Sequence, residues 1–400
     1  MNWQAQLSER SHHMKPSTIR EILKLTQRSE VISFAGGLPA PGLFPTEKLS
    51  EASVKVLAEQ GQQALQYSTT EGYAPLREWV AAGLSERAHA SGERPADEVQ
   101  IVSGSQQGLD LVAKCLFNPG DRVVVGAPTY MGALRAFDPY EVSYLTVDCD
   151  EEGMLPESLE AALKQSPKMI YAIPNFDNPT GTTMSLVRRQ ALVELARRYD
   201  VPVYEDNPYG ELRFEGEDLP HLVDLAPELV IYAGTFSKIM VPGFRLAWLV
   251  APPEVLVPVV RAKQAADLHT STYVQMVAHE VLKGGYLNEQ IARVRAHYGA
   301  QREHMLRALD ASMPEGITWT RPSGGMFLWL TLPEGVNASE LAYEAVKENV
   351  AYVPGEAFFA DGTGQNTLRL SYSVATPEQI EQGMVRLGEV FKRRLAGVAV

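Results

Sequence analysis

Between Glu98 and Val250 the chain repeats one pattern. Continuous apolar runs, QIVSG, RVVVGA, VSYLTV, MIYAIP, VPVYE and LVIYAG, alternate with helical segments. Those segments begin near Ser105, Tyr130, Pro156, Ser185 and, less distinctly, after Asn207. A strand that faces water on one side alternates polar and apolar residues, whereas a run that is apolar throughout is covered on both faces. Strand–helix alternation with such runs predicts an α/β fold, a mostly parallel sheet with helices on both sides. Ligands of open parallel sheets bind beyond the carboxyl ends of the strands. The polar residues at those ends are therefore the candidates for chemistry: Ser105 and Gln106, Tyr130, Asn175 and Asn178, Asp206 and Tyr209, then Ser237 and Lys238.

At 400 residues the chain is long enough for a large domain and a smaller one. The large domain is expected over residues 46–285. Thr46 is expected to cap its first helix, which runs to about Gln60, and Pro75 opens the next. Beyond Pro252 the pattern is helical, with one long stretch from Tyr273 to Leu309. Short strands (GITWT, MFLWLTL, NVAYVP, TLRLSYS) and a last helix from about Pro377 to Leu395 predict a smaller α+β domain over 286–400. Residues 1–45 hold a helix in STIREILKLTQR and a Gly/Pro-rich loop in VISFAGGLPAPGLFP. They are expected to complete the smaller domain and to reach the substrate site.

The formal charge of −13 argues against nucleic acid or an anionic membrane as partner. The two cysteines form no CxxC or metal pattern, and His12 and His13 are adjacent rather than at metal-ligand spacing. The opening MNWQAQLSERSHHM lacks the apolar core of a signal peptide, and no run reaches the length of a membrane span. The expectation is a metal-free cytoplasmic protein.

The stretch from Thr235 to Arg245, TFSKIMVPGFR, lies between the apolar runs LVIYAG and FRLAWLV. Strands on both sides would hold Lys238 in the interior. An interior lysine is costly unless it is neutral, paired or covalently modified. To react as an amine it must lose a proton held in water with a pKa of about 10.4. A carbonyl cofactor removes the difficulty by converting the amine to an imine. Arg245 follows seven residues later, with Thr235 and Ser237 just before the lysine. Hydroxyls with a guanidinium suit a phosphate. Together they point to pyridoxal phosphate joined to Lys238 as a Schiff base. The alternative is a surface lysine snorkelling from a turn.

Each remaining candidate has a functional and a bland reading. Gly104-Ser105-Gln106 stands where a strand turns into a helix, which suits a phosphate or an ordinary capping serine. Asn178 opens the sharp turn NPTG. Asp206 ends an apolar strand and needs a partner. A pyridinium nitrogen would serve, because ionised Asp206 keeps that nitrogen protonated and the ring able to accept carbanion electrons. Arg369 sits in the apolar run TLRLSYS with no acid in that segment, so a substrate carboxylate or a distant acidic side chain pairs with it. Gly36 and Gly37 permit close backbone approach to a ligand or simply make a turn. Tyr67 in a polar loop and Arg20 on a helix carry no signal by themselves.

GSQQ, NPTG, EDNPY, TFSK with Arg245, and RLSYS stand in the order found in fold-type I pyridoxal-phosphate aminotransferases. The chain resembles that family over nearly its whole length. STIREILKLTQR, FAGGLPAPGLFP and ALQYSTTEGYAPLREWV look like the α-aminoadipate aminotransferases of lysine biosynthesis and the related kynurenine/aminoadipate group. The resemblance implies that Lys238 carries the internal aldimine and moves the proton between Cα and C4′. It implies that Asp206 holds the pyridine nitrogen, that Asn178 and Tyr209 bond the phenolic oxygen, and that Tyr130 stacks on the ring. Ser105, Gln106, Thr235, Ser237 and Arg245 would bind the phosphate, with the partner subunit's Tyr67, in a homodimer with shared active sites. Arg369, Asn178 and the Gly37 backbone would hold the substrate α-carboxylate. Arg20, on a mobile helix, would meet the distal carboxylate of aminoadipate or glutamate. The substrates implied are amino acids and 2-oxo acids such as 2-oxoglutarate.

Three positions depart from the pattern: Thr235 where serine is frequent, Asn207 where a second aspartate is frequent, and Thr69 in place of a proline. None removes a catalytic group. The same fold also serves β-lyases, decarboxylases and the effector domains of transcription factors. About thirty residues precede VISFAGG, too few for a winged helix, and the charge is acidic. The choice among aminoadipate, leucine, aromatic amino acids and kynurenine as donor stays open.

Overall fold

In the computed structural model, residues 1–8, 10–11, 30–88 and 94–398 are described. The helix expected in STIREILKLTQR, with Arg20, lies outside them. The strands in chain order are β1 (Ile32–Ser33), β2 (Val99–Val102), β3 (Arg122–Ala127), β4 (Ser143–Asp150), β5 (Gly153–Met154), β6 (Met169–Ala172), β7 (Val203–Asn207), β8 (Val230–Thr235), β9 (Ala247–Val250), β10 (Thr318–Trp319), β11 (Phe327–Thr331), β12 (Val350–Ala351), β13 (Val353–Pro354) and β14 (Thr367–Ser371). The helices are α1 (Thr46–Ala64), α2 (Ala74–Ala88), α3 (Ser105–Leu116), α4 (Met131–Phe137), α5 (Pro156–Leu163), α6 (Leu186–Tyr199), α7 (Leu222–Leu225), α8 (Pro253–Asp267), α9 (Thr272–Lys283), α10 (Tyr286–Ser312), α11 (Ala338–Lys347) and α12 (Pro377–Val398).

The strands predicted between Glu98 and Val250 form one sheet of eight, in the order β2-β9-β8-β7-β6-β3-β4-β5. β4, β3, β6, β7 and β8 run parallel, while β9 is antiparallel to both its neighbours. The apolar runs are continuous because each strand feeds two cores. On β3, Val123 and Val125 pack with the layer that includes Leu109, Leu134 and Val259, while Val124 packs into the opposite core with Leu159 and Leu192. On β8, Ile231 and Ala233 take the first side and Val230 and Tyr232 the second. Full burial of a valine or isoleucine side chain stabilises by roughly 1.5–3 kcal/mol, so a charge on either face of such a strand costs the fold heavily.

The second sheet, β10-β11-β14-β13, is antiparallel. β1 pairs with β12 in parallel, and Phe34 continues that contact through bonds with Ala351 and Ser371. The segment after residue 30 is thereby tied to the smaller sheet, and the Gly36–Pro45 loop is carried toward the end of the large one.

Several boundaries differ from expectation. Thr46 is the first residue of α1 rather than its cap, and α1 continues past a non-helical Gln60 to Ala64. The long helical stretch from Tyr273 is two helices, because Gly285 turns at φ +74 between α9 and α10. After Asn207 there is no long helix; turns lead to the four-residue α7.

Candidate active site

β8 and β9 are joined by the loop that carries Lys238. Thr235 ends β8, where its hydroxyl accepts the Ser237 amide at 3.1 Å and donates to the Leu246 carbonyl at 3.2 Å. A short 3₁₀ turn, Pro242–Phe244, then delivers Arg245 in a left-handed conformation at φ +50. Lys238 points inward, and its Nζ donates to the Gly37 carbonyl at 2.9 Å and lies 5.9 Å from the centre of the Tyr209 ring. Burial, then the charges of Arg369 and Arg245, bring its pKa down to about 8.

Asp206 stands near the end of β7, almost fully covered. Its Oδ2 accepts the Tyr171 hydroxyl at 2.8 Å, while Oδ1 is buried without a hydrogen-bond partner among the described residues. Burial pushes its pKa up to about 6, opposed by the Tyr171 bond. Arg369, on β14, is also buried. Its guanidinium donates to Asn178 Oδ1 at 2.7 Å and the Ala35 carbonyl at 2.8 Å, and its Nε has no partner among the described residues. It lies 4.2 Å and 5.0 Å from the ring centres of Phe327 and Phe358. Among the described residues no carboxylate pairs with it, so the distant ion pair left open by the sequence is not made by any of them. Asn178 Nδ2 in turn donates to the Tyr209 hydroxyl at 3.3 Å. Asn178 is held forward by a turn closed by the Gly181 amide on the Asp177 carbonyl at 2.7 Å. Gly181 has φ +74, and a Cβ there would lie 2.7 Å from the Phe327 carbonyl oxygen, so the turn needs glycine.

At the β2–α3 junction Gly104 adopts φ +90, and a Cβ on it would lie 2.3 Å from Arg245 Nη2. The guanidinium therefore crosses the turn that opens α3. Ser105 and Gln106 begin that helix, where the first N–H groups have no intrahelical acceptor. The Gln106 amide donates to the Gly132 carbonyl at 2.9 Å, and the Tyr130 ring lies against Gly132.

Ser105, Gln106, Tyr130, Asn178, Asp206, Tyr209, Thr235, Ser237, Lys238 and Arg245 line one cleft of about 260 Å³. Arg369 and Gly37 adjoin it through Asn178 and Lys238. Two candidates fall elsewhere. Asn175 faces away, bonded to Arg189 and Asn207, and Asn207 is held by Tyr232 at 2.9 Å. Tyr67 is 79% exposed, with its ring edge-on to His269 at 5.9 Å. Sequence reasoning missed Tyr171, the rings under Arg369, and Leu38 and Ile173 in the cleft wall. Tyr171 reads as one more apolar position in MIYAIP, and only the neighbouring β7 reveals what its hydroxyl meets.

The chain matches the family model for aminotransferase class I and II over residues 30–387. It belongs to that family. The aminotransferase is 47% identical over 401 residues to the 2-aminoadipate transaminase of Thermus thermophilus, covering 99% of each chain. It is 45% identical to aromatic-amino-acid aminotransferase 1 of Thermococcus litoralis, across 99% of this chain and 96% of that one. Among solved structures, the α-aminoadipate aminotransferase LysN of Thermus thermophilus, complexed with N-(5'-phosphopyridoxyl)-L-leucine, matches with a TM-score of 0.91 at 46% identity, covering 99% of this chain and all of that one. The fold is that of the fold-type I transferases, and the cofactor is pyridoxal phosphate.

The residues present fit that cofactor. Among its described residues the aminotransferase keeps a buried carboxylate oxygen without a partner, an inward lysine without a carboxylate, and a glycine turn that lets an arginine approach a helix N-terminus.

Proposed function

We propose that Lys238, Asp206 and Tyr209 are the catalytic groups of this aminotransferase and that Arg369 with Asn178 receives the α-carboxylate of its substrates. One observation carries the reading. A partly buried amine, a buried carboxylate and a buried guanidinium, each without an opposite charge paired to it among the described residues, line or adjoin one cleft. When bound, pyridoxal phosphate supplies an aldehyde that condenses with amines and a ring that accepts electrons released at Cα. Asp206, ionised, would hold a proton on the pyridine nitrogen. Tyr209 and Asn178 would donate to the phenolic oxygen, and Tyr130 would cover the ring. Lys238 Nζ, with its affinity for protons lowered, takes the proton from Cα and returns it. Ser105, Gln106, Thr235, Ser237 and Arg245 hold the phosphate.

The donors we assign are 2-aminoadipate and glutamate, with leucine and aromatic amino acids also accepted, and 2-oxoglutarate as acceptor. Similarity at 47% and 45% to aminoadipate and aromatic enzymes supports that breadth. So does a wall made apolar by Leu38, Leu109 and Ile173. The cations the described residues bring to the cleft, Lys238, Arg245 and Arg369, are all assigned to cofactor and α-carboxylate. The distal carboxylate is assigned to Arg20 on the resemblance alone. Leu65 and Tyr67 are 74% and 79% exposed on one loop, which suits cover by a second copy and supports a homodimer as the working unit; the compartment we assign is the cytoplasm.

Rapid mixing of the pyridoxal-phosphate enzyme with aminoadipate, glutamate, leucine and phenylalanine, read by cofactor absorbance, tests this. Arg369→Ala weakens every donor. Arg20→Ala weakens only the acidic ones, by about 1.5–3 kcal/mol in kcat/KM, the worth of a hydrogen bond to a charged group. A uniform loss for Arg20→Ala would return it to a structural role.

A further inference from the structure

The molecule has a second interior lysine, Lys263 on α8, with none of its surface exposed. Unlike Lys238 it is fully engaged. Its Nζ donates to both oxygens of Asp267, at 2.8 and 2.9 Å, and to Gln107 Oε1 at 2.9 Å. Gln107 Oε1 also accepts the Ser103 amide at 2.8 Å, and Gln107 Nε2 donates to Asp267 Oδ2 at 2.7 Å. The Ser103 hydroxyl donates to the same Asp267 oxygen at 2.9 Å and lies 3.0 Å from Thr270 Oγ1. Ser103 is thus gripped at both its amide and its hydroxyl. The next residue is Gly104, whose φ of +90 turns the chain into Ser105 and Gln106.

We propose that Lys263, acting through Asp267 and Gln107, is a positioning residue that sets the β2–α3 turn for the cofactor phosphate. The inference rests on reading Ser105, Gln106, Thr235 and Arg245 as the phosphate seat. A backbone turn binds an oxyanion only if its N–H groups converge, and convergence here depends on where Ser103 is pinned. Among the described residues Lys263 is the one cation in this cluster. It neutralises Asp267, so the carboxylate can accept from Ser103 and Gln107 without adding net negative charge beside a dianion. It also polarises Gln107 Oε1, the acceptor for the Ser103 amide.

The test is the selectivity of the full-length, cofactor-free chain for pyridoxal phosphate over pyridoxal, from titrations followed by absorbance. The two ligands share ring and aldehyde and differ only in the phosphate. Lys263→Met is expected to raise the Kd for pyridoxal phosphate about tenfold, the scale of one charge-assisted hydrogen bond, while pyridoxal changes less than about twofold. Gln107→Leu, which spares the Lys263–Asp267 pair but releases the Ser103 amide, should lower selectivity in the same way and serves if Lys263→Met does not fold. Thr235→Val and Arg245→Gln probe the seat itself. If these two lose selectivity while Lys263→Met and Gln107→Leu keep it, the inference is overturned and the seat stands. If none of the four loses selectivity, the seat is misplaced and the inference falls with it. Equal weakening of both ligands by Lys263→Met and Gln107→Leu would mark a general structural role and also overturn it.

Discussion

Lys238 and Lys263 are one residue type in two states set by partners. Lys263 has a carboxylate and the Gln107 amide oxygen holding its charge, whereas Lys238 has a carbonyl, an aromatic ring and two repelling guanidinium groups. The unpaired one is the reactive one. Borohydride treatment of the holoenzyme should therefore attach the cofactor to the peptide holding Lys238. Recovery on the Lys263 peptide would reverse the assignment. Asp206 gives a second prediction at this scale. Its pKa rises from 3.8 to about 6 on folding, so the folded chain binds the proton more tightly than the unfolded one between those values. Stability of the cofactor-free protein then falls as pH rises through that window. Asp206→Asn should stabilise it by roughly 1–3 kcal/mol at pH 7, with no gain below about pH 4, measured from urea midpoints. In the holoenzyme the same change should slow transamination by about 10²–10⁴, because the proton on the pyridine nitrogen is lost.

At the scale of elements, the site is made of strand-to-helix and strand-to-strand turns, and glycines decide two of them. Gly104→Ala should both strain the turn and push the Arg245 guanidinium aside. We expect a Tm lower by several degrees, from about 1–3 kcal/mol of backbone strain, together with a rise of at least tenfold in the Kd for pyridoxal phosphate. Unchanged affinity despite a lowered Tm would place Arg245 away from the phosphate. The strands were legible because burial on both faces leaves a run of apolar residues that no other element produces at that length. Helix ends were less so. The break between α9 and α10 depends on a single φ of +74 at Gly285, and the extension of α1 past Gln60 depends on packing against α9. Neither is written in periodicity.

At the scale of the whole molecule, Tyr67 tests whether two chains build each site. Its ring touches His269 and stands clear of its own cleft. In a heterodimer of one Tyr67→Phe chain and one Lys238→Ala chain, shared sites would leave one site intact and the other with both lesions. Purified by two tags, that heterodimer should show half the wild-type activity. Half the activity of the Tyr67→Phe homodimer would mean that sites are not shared. Sedimentation should give a dimer at every concentration that retains activity.

Order along the chain was enough to establish the fold class, because the apolar runs leave a parallel sheet covered on both sides as their only comfortable solution. It was also enough to list the polar residues at the strand ends, since a buried strand has nowhere else to place them. What those residues meet was decided in three dimensions. Asn175 and Asn178 are three positions apart in one loop, yet Asn178 joins Tyr209 and Arg369 while Asn175 joins Arg189 on the other side. Arg369 could have paired with a distant acid, and only the tertiary structure shows that among the described residues it meets Asn178 and the Ala35 carbonyl instead. Tyr171 and Lys263 carried no signal of their own, because a hydroxyl or an amine acquires its meaning from the strand or helix packed beside it. Local pattern determines which face of an element is buried; the packing of distant elements determines which charges are left without a partner.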